Sequence, residues 1–329
     1  MAHAGAPRGP DVNPDVVRAI ATLRTGDVLS AGQAAFFDRV ARRGLVSVRF
    51  EIRTLLYVGV LLLTSGVGVL VARHQEDIGP LAIATGIALA AAGSLIWVTR
   101  RAAPFSWGEV PSPGVAFDYL LLLGLLLVAA DLAYVEVQFT LLGPRWAYHL
   151  LVVGALYLLA AYRWDSRTAL GLALTTLAAW RGVSMSLRAA SSLAFGHGDD
   201  LRANEIAIGL IYVALAVLSV RLERKSHFEG VFGNIGLILL FEALVSGVFG
   251  AAPWGIWLAA LLAVAAAVVW LAFGLGRSLY FAEGVAAAYL GLLRPLFHMG
   301  STVGFLLAAL LGAGALALII MAHRRMIER

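Results

Sequence analysis

Apolar runs long enough to cross a lipid bilayer as helices follow one another from residue 54 almost to the end of the chain. A helix rises 1.5 Å per residue, so about 20 apolar residues span a hydrocarbon core of about 30 Å. The pattern predicts an all-α fold, a polytopic transmembrane helix bundle of about ten spans. The predicted spans lie at about residues 54–72, 78–98, 116–140, 146–162, 168–187, 204–222, 229–250, 254–273, 278–295 and 300–321.

Composition agrees with a membrane protein and excludes an ordinary soluble domain. Of the 329 residues, 60% are hydrophobic and 14% are charged. Soluble domains have about 45–50% apolar and about 25% charged residues. A soluble core of this size cannot bury so much apolar surface, whereas lipid solvates it. Cysteine is absent, which excludes disulfides and thiolate metal sites.

The distribution of basic residues predicts the orientation of the bundle. If the N-terminus lies in the cytoplasm, nineteen Arg and Lys residues fall in inside segments and five fall outside, while Arg181 falls within a span. Because cytoplasmic loops are enriched in Arg and Lys, both ends are predicted to be cytoplasmic (N-in/C-in). The five outside residues are Arg73, Arg145, Arg188, Arg202 and Arg294.

The region before the first span has helical patterns of its own. Two short helices are predicted at Pro14–Thr25 and Ala31–Gly44, and Ser30 with Gln33 is a capping-box pattern for the second. We expect a cytoplasmic tail and helical hairpin, which either lies near the lipid headgroups or docks a protein partner. The predicted domains are this region, residues 1–50, and the transmembrane bundle, residues 51–329.

Ionisable side chains inside the predicted spans are costly in lipid, so they mark either a functional site or a structural ion pair. Helical rise puts Asp131, Arg181 and Glu242 roughly 20 Å from the cytoplasmic ends of their spans, which is the outer half of the bilayer. The predicted substrate or proton site consists of Asp131, Tyr134, Glu136, His149, Arg181, Glu205 and Glu242.

Two interpretations of these charges stay open. Arg181 would lock helices together by pairing with Asp131 or Glu242, since a guanidinium fork suits carboxylates. Alternatively, the side chains line a cavity open to the outside, where a carboxylate would load and release protons.

The sequence carries no motif for a metal, nucleotide or other cofactor. None of the seven histidines, at positions 3, 74, 149, 197, 227, 298 and 323, forms the i, i+4 pair of a helical zinc site. There is no Gly-Lys-Ser/Thr phosphate loop and no Gly-x-Ser-x-Gly elbow. We therefore expect no metal, no cofactor and no nucleic-acid partner; the expected partners are membrane lipids.

Two short stretches point to a family. Leu29-Ser30-Ala31-Gly32-Gln33-Ala34 precedes the first span, and Asp131-Leu132-Ala133-Tyr134-Val135-Glu136 lies in the third. In these features the first half of the chain resembles an uncharacterised bacterial membrane family, domain of unknown function 2157. The resemblance implies a multi-pass protein of the bacterial cytoplasmic (inner) membrane, and it brings no established activity.

Three functions are open on the sequence alone. The leading interpretation is a transporter or flippase-like protein with an outward-facing buried polar site on spans three, five and seven. The second is a non-catalytic membrane scaffold or sensor that acts through the N-terminal hairpin. The third is an intramembrane enzyme for a lipid-linked substrate, with acid–base chemistry by Asp131, Glu136 and His149. The enzyme hypothesis requires His149 within hydrogen-bond reach of a carboxylate.

Overall fold

A computed structural model gives the architecture of most of the chain. It describes residues 14–26, 28–30, 32–35, 37, 54–55, 58–59, 61–62, 65–66, 68–69, 79–186, 199–298, 300 and 302–327. The predicted span at 54–72 lies mostly outside the described residues, as does most of the predicted helix Ala31–Gly44. The predicted domain boundary at residue 50 stays a prediction.

The N-terminal region contains the helix and the cap that the sequence predicts. The first helix, α1, runs over Pro14–Thr25, as predicted. The backbone N–H of Ser30 donates to Oε1 of Gln33 at 3.0 Å, and the N–H of Gln33 donates to Oγ of Ser30 at 3.3 Å. This reciprocal pair is the capping box, because two N–H groups at a helix start find side-chain acceptors.

Long helices make up the rest of the described chain, and each of the second to tenth predicted spans coincides with one of them. They are α2 Pro80–Arg101, α3 Val115–Phe139, α4 Tyr148–Trp164, α5 Arg167–Ser186, α6 Asp199–Arg221, α7 Glu229–Gly250, α8 Trp254–Leu275, α9 Ser278–His298 and α10 Thr302–Ile327. Single 3₁₀ turns lie at Gly143–Arg145 and Ser226–Phe228. The described part of the chain contains no strand.

Six helices of the described chain are long and apolar enough to cross a membrane: α2, α3, α6, α7, α8 and α10. The other three long helices, α4, α5 and α9, are not among these six, and α4 is the shortest of the long helices, with 17 residues. The fold is therefore an all-helical membrane bundle with several apolar helices. The count of ten spans and the N-in/C-in orientation stay predictions.

One helix extends beyond its predicted end. The ninth predicted span ends at Pro295, but α9 continues to His298 with this proline inside it. A proline in the last turn removes only one hydrogen bond of the helix, that to the carbonyl four residues earlier. The helix can therefore continue for three residues past it.

Helix α7 lies at the centre of the bundle. It contacts α5, α6, α8 and α9, and 61% of its apolar stretch is buried, against 28% or less for the other five candidate spans. Its first half packs into an apolar core with α2 to α6 through Phe232, together with Phe228 in the turn before it. Its second half packs with α8 and α9, where Val248 and Leu261 are fully buried. Polar residues on α7 are therefore held against neighbours on several sides.

Candidate functional site

Polar side chains from α5, α6 and α7 lie together near one end of the bundle; Arg202 and Asn204 are buried, whereas Arg181 and Glu242 are exposed. Arg181 on α5 donates a hydrogen bond from Nε to Oδ1 of Asn204 on α6 at 3.1 Å. Glu205, the next residue on α6, lies close enough to Glu242 on α7 and to Arg202 for both charges to act on it. We call these five residues the Glu205 cluster.

Two glycines allow α6 and α7 to approach closely beside this cluster. A Cβ on Gly209 would lie 2.8 Å from the carbonyl oxygen of Gly236 and 3.0 Å from the backbone nitrogen of Leu240. Glu205 lies one turn before Gly209 on α6. Because the two helices run antiparallel, this contact brings Glu205 level with Glu242.

Arg202 is buried in the first turns of α6. Only 2% of it is exposed, and its guanidinium lies 5.2 Å from the ring centroid of Trp257 on α8. Arg202 was expected in the outside segment before the sixth span, but it lies within a helix because α6 begins earlier, at Asp199. A buried guanidinium is stabilised by opposite charge and by aromatic faces, which Glu205 and Trp257 supply here.

A second arginine counted among the outside residues also lies within a helix, as its position in the ninth predicted span implies. Arg294 belongs to α9, donates to the carbonyl oxygen of Val248 and lies 5.5 Å from the ring centroid of Trp254. Arg202 and Arg294 therefore both contact residues near the α7–α8 turn.

The other predicted site residues lie apart from the Glu205 cluster. Asp131 and Tyr134 are half-buried on α3, and Oδ1 of Asp131 and the hydroxyl of Tyr134 have no hydrogen-bond partner among the described residues. Glu136 accepts the backbone N–H of Leu142 at 3.0 and 3.2 Å, which closes the turn after α3. In the described chain, none of these three forms a hydrogen bond or ion pair with the cluster.

His149 faces its own turn. Its Nδ1 lies 2.5 Å from the carbonyl oxygen of Trp146, and its ring stacks on that tryptophan at 5.7 Å between centroids. Among the described residues, it forms no hydrogen bond or ion pair with Asp131 or Glu136. The contact that the enzyme hypothesis requires is therefore not made in this arrangement.

The Glu205 cluster combines two carboxylates, two guanidinium groups and one amide. Charged side chains at membrane depth are costly to place in lipid, so such a group marks either a functional site or a structural ion pair. Within the described part of the chain, no group of three or more His, Asp or Glu side chains is placed to hold a metal ion. The arrangement therefore suits proton handling or the binding of a charged solute.

A second buried group of charges lies where loop 102–114 meets the ends of α4 and α6. The carboxylate of Asp165 accepts hydrogen bonds from the backbone N–H of Val110 at 2.5 Å and from Nε2 of His227 at 2.6 Å, and it pairs with Nζ of Lys225 at 2.9 Å. The Asp165, Lys225 and His227 side chains are 3%, 1% and 7% exposed. We call these three residues the Asp165 cluster.

The Asp165 cluster and its neighbours hold three interhelical connections in contact with one another. The backbone N–H of Lys225 donates to the carbonyl oxygen of Trp107 at 2.7 Å, and its Nζ lies 5.4 Å from the ring centroid of Phe105. Loop 102–114, the α4–α5 turn and the α6–α7 turn therefore lie at one end of the bundle. Successive helices run in opposite directions, so every second connection lies at the same end of the bundle.

Sequence reasoning missed the Asp165 cluster, although two of its residues are unusual. Lys225 is the only lysine of the chain, and Asp165 directly follows α4 with φ of 55°, a left-handed conformation that aspartate tolerates better than most residues. Neither signal indicates that the two side chains, 60 positions apart, meet.

Comparison with known proteins identifies the first half of the chain. The model of a family described as Predicted membrane protein (DUF2157) matches residues 22–170. Over these residues, which are somewhat less than half of the chain, the protein is similar to this family. No curated protein and no solved structure gives a significant match to the chain.

The DUF2157 segment contains only part of the polar residues described above. It includes α2, α3 and α4, with Asp131, Tyr134, Glu136, His149 and Asp165. The Glu205 cluster and Lys225 lie after residue 170, beyond the matched segment. The resemblance predicted from the sequence is confirmed over the matched residues, and it assigns no activity to either cluster.

Proposed function

We propose that this protein is a transporter or flippase-like membrane protein in which Glu205 and Glu242 form a proton-handling pair. The observation that carries the proposal is the Glu205 cluster itself. It places two carboxylates near the buried side chain of Arg202, where α6 and α7 pack together. Charges in a membrane bundle are costly, so their retention favours a role in moving protons or charged solutes.

The proposal includes a topology. Ten spans with both ends in the cytoplasm would put the Asp165 cluster at the inner membrane face and the Glu205 cluster in the outer half of the bilayer. The bias of nineteen basic residues inside against five outside supports this orientation, and a bacterial inner membrane is the location that the DUF2157 resemblance favours. The site would then be open to the outside.

Proton flux through purified protein in vesicles tests the proposal. With a pH-sensitive dye inside vesicles and an imposed pH gradient, wild-type protein should dissipate the gradient faster than protein-free vesicles. Glu205→Gln and Glu242→Gln should each slow this flux about tenfold or more, because an amide cannot carry the proton. The matched control is Glu223→Gln, which removes an exposed carboxylate from the α6–α7 turn.

Two results would contradict the proposal. One is wild-type flux no faster than that of protein-free vesicles. The other is flux in both cluster variants equal to that of wild type, provided that all variants reconstitute to the same amount.

A further inference from the structure

A groove of about 610 Å³ runs between α6 and α8, with α7 as its floor. Ligand sites in proteins have volumes of about 300–1,000 Å³, so the groove is large enough for a ligand. The walls of the groove are apolar. The residues of α6 that line it lie along one face of that helix. The lining residues include Val213, Val217 and Val220 on α6, Leu237 on α7 and Leu271 and Leu275 on α8.

The apolar part of the groove has the length of a lipid leaflet. From Val213 to Arg221, α6 rises about 12 Å, and half of a hydrocarbon core is about 15 Å. Val217, Val220 and Leu271 are about half exposed, and Leu275 is 69% exposed. The groove is therefore open along its side, where a lipid chain can enter it from the bilayer.

The end of the groove toward the Asp165 cluster is basic. Arg221, at the end of α6, is exposed and forms no hydrogen bond or ion pair with any residue that the structure describes. Arg277, between α8 and α9, pairs with Glu229 at 2.5 Å, yet 54% of its side chain stays exposed. Two guanidinium groups and one carboxylate leave this end with a net positive charge.

The acidic residue at this end is already held in place. Besides Arg277, Glu229 accepts a hydrogen bond from the hydroxyl of Tyr280 at 2.7 Å. This hydroxyl reaches Glu229 because residue 233 is glycine: a Cβ there would overlap it. Glu229 is therefore engaged within the protein, and Arg221 is the cation available to a ligand.

We infer that the groove binds an anionic phospholipid of the leaflet on the Asp165-cluster side. One acyl chain lies along the valines and leucines of α6 and α8, and the phosphate lies at Arg221 and Arg277. Arginine suits this role because its guanidinium donates several hydrogen bonds to phosphate oxygens. The site lies toward the opposite ends of α6 and α7 from the Glu205 cluster, and it does not depend on the proposed transport function.

Native mass spectrometry with matched lipids tests this inference. The full-length protein in detergent is titrated with phosphatidylglycerol or with phosphatidylcholine of the same acyl chains. Wild type should retain phosphatidylglycerol more strongly. Arg221→Gln should weaken phosphatidylglycerol binding about fivefold and leave phosphatidylcholine unchanged, because one arginine near an anionic lipid contributes on the order of that factor.

Two further variants separate the charge from the groove. Arg324→Gln removes an exposed arginine from the last turn of α10, outside the groove, and should leave the lipid preference unchanged. Val217→Trp fills the groove and should reduce binding of both lipids. Glu205→Gln should not alter lipid retention, so failure of the transport proposal would remain distinct from failure here.

Equal retention of the two lipids by wild type would overturn the inference. So would an Arg221→Gln protein that retains phosphatidylglycerol like wild type, or a Val217→Trp protein that retains both lipids undiminished. Because Arg221 has no partner in the described chain, its substitution is expected to leave the fold intact.

Discussion

Lys225 is the only lysine of the chain, and 1% of its side chain is exposed. Lysine is almost never buried without a partner, and here Asp165 supplies the opposite charge at 2.9 Å. A buried ion pair is costly to form, but it is more costly to break, since the remaining charge then has no partner. The Asp165 cluster therefore fixes how the three connections meet.

Replacing Lys225 by methionine should destabilise the protein. The Asp165 carboxylate would stay buried without its ammonium partner, and breaking buried pairs costs about 3–5 kcal/mol. Denaturant unfolding in detergent, followed by tryptophan fluorescence, measures this loss. The double variant Asp165→Asn with Lys225→Met should recover part of it.

An exposed ion pair at the same end of the bundle is the matched control. Arg167 and Glu109 lie 2.9 Å apart with side chains 58% and 62% exposed. Exposed pairs contribute about 0–1 kcal/mol, so Glu109→Gln should change stability little. Equal losses in Lys225→Met and Glu109→Gln would mean that the Asp165 cluster is not a stabilising contact.

At the scale of helices, the α6–α7 contact places the Glu205 cluster. Gly209 and Gly236 let the two backbones touch, and the nearest atoms to an added Cβ are backbone atoms. Small residues at such contacts are typical of membrane helix pairs, because close approach maximises packing where no hydrophobic effect drives association.

Gly209→Ala should weaken this pair of helices. The added methyl meets backbone atoms that cannot rotate away, and overpacking of this kind costs about 1–3 kcal/mol. Gly171→Ala is the control, because nothing lies within 4 Å of a Cβ at that position on α5. It should leave stability unchanged or slightly raised, since alanine is the better helix former. Thermal unfolding of the two variants measures their stabilities. A loss of stability in Gly171→Ala as large as that in Gly209→Ala would contradict close packing at Gly209.

The helices were predictable from the sequence because apolar length alone identifies a helix in lipid. The seventh predicted span, 229–250, coincides with Glu229–Gly250, whereas the fourth is displaced by two residues from Tyr148–Trp164. The Arg181–Asn204 hydrogen bond shows that these two residues lie at the same level of the bundle, while their depth in the bilayer stays a prediction.

Rotation about the helix axis was not predictable. Which way Asp131 or His149 faces depends on the packing of neighbouring helices, and no local pattern encodes it. Contacts between distant turns, such as Asp165 with Lys225, are likewise set by the bundle as a whole. The sequence could therefore name charged residues at one depth, but not the subset that meets.

At the scale of the whole molecule, the two clusters lie at different levels of the bundle. The Asp165 cluster joins turns at one end, while the Glu205 cluster lies near the opposite ends of α5, α6 and α7. An outward-facing site requires that water reach the Glu205 cluster from the membrane face opposite the Asp165 cluster. Glu242 is exposed on the protein surface. Its surroundings, water or lipid, therefore distinguish an outward-facing site from a dry one.

Labelling of single cysteines in intact cells tests this claim most directly, because the chain has no cysteine of its own. A membrane-impermeant methanethiosulfonate reacts with thiols in water and not with thiols in lipid. Glu242→Cys should label, as should Leu141→Cys in the turn after α3. Ile211→Cys, exposed in the middle of α6, should not, and Glu223→Cys should label only after permeabilisation. If Glu242→Cys stays unlabelled while Leu141→Cys reacts, the Glu205 cluster is dry and the claim of an outward-facing site is wrong.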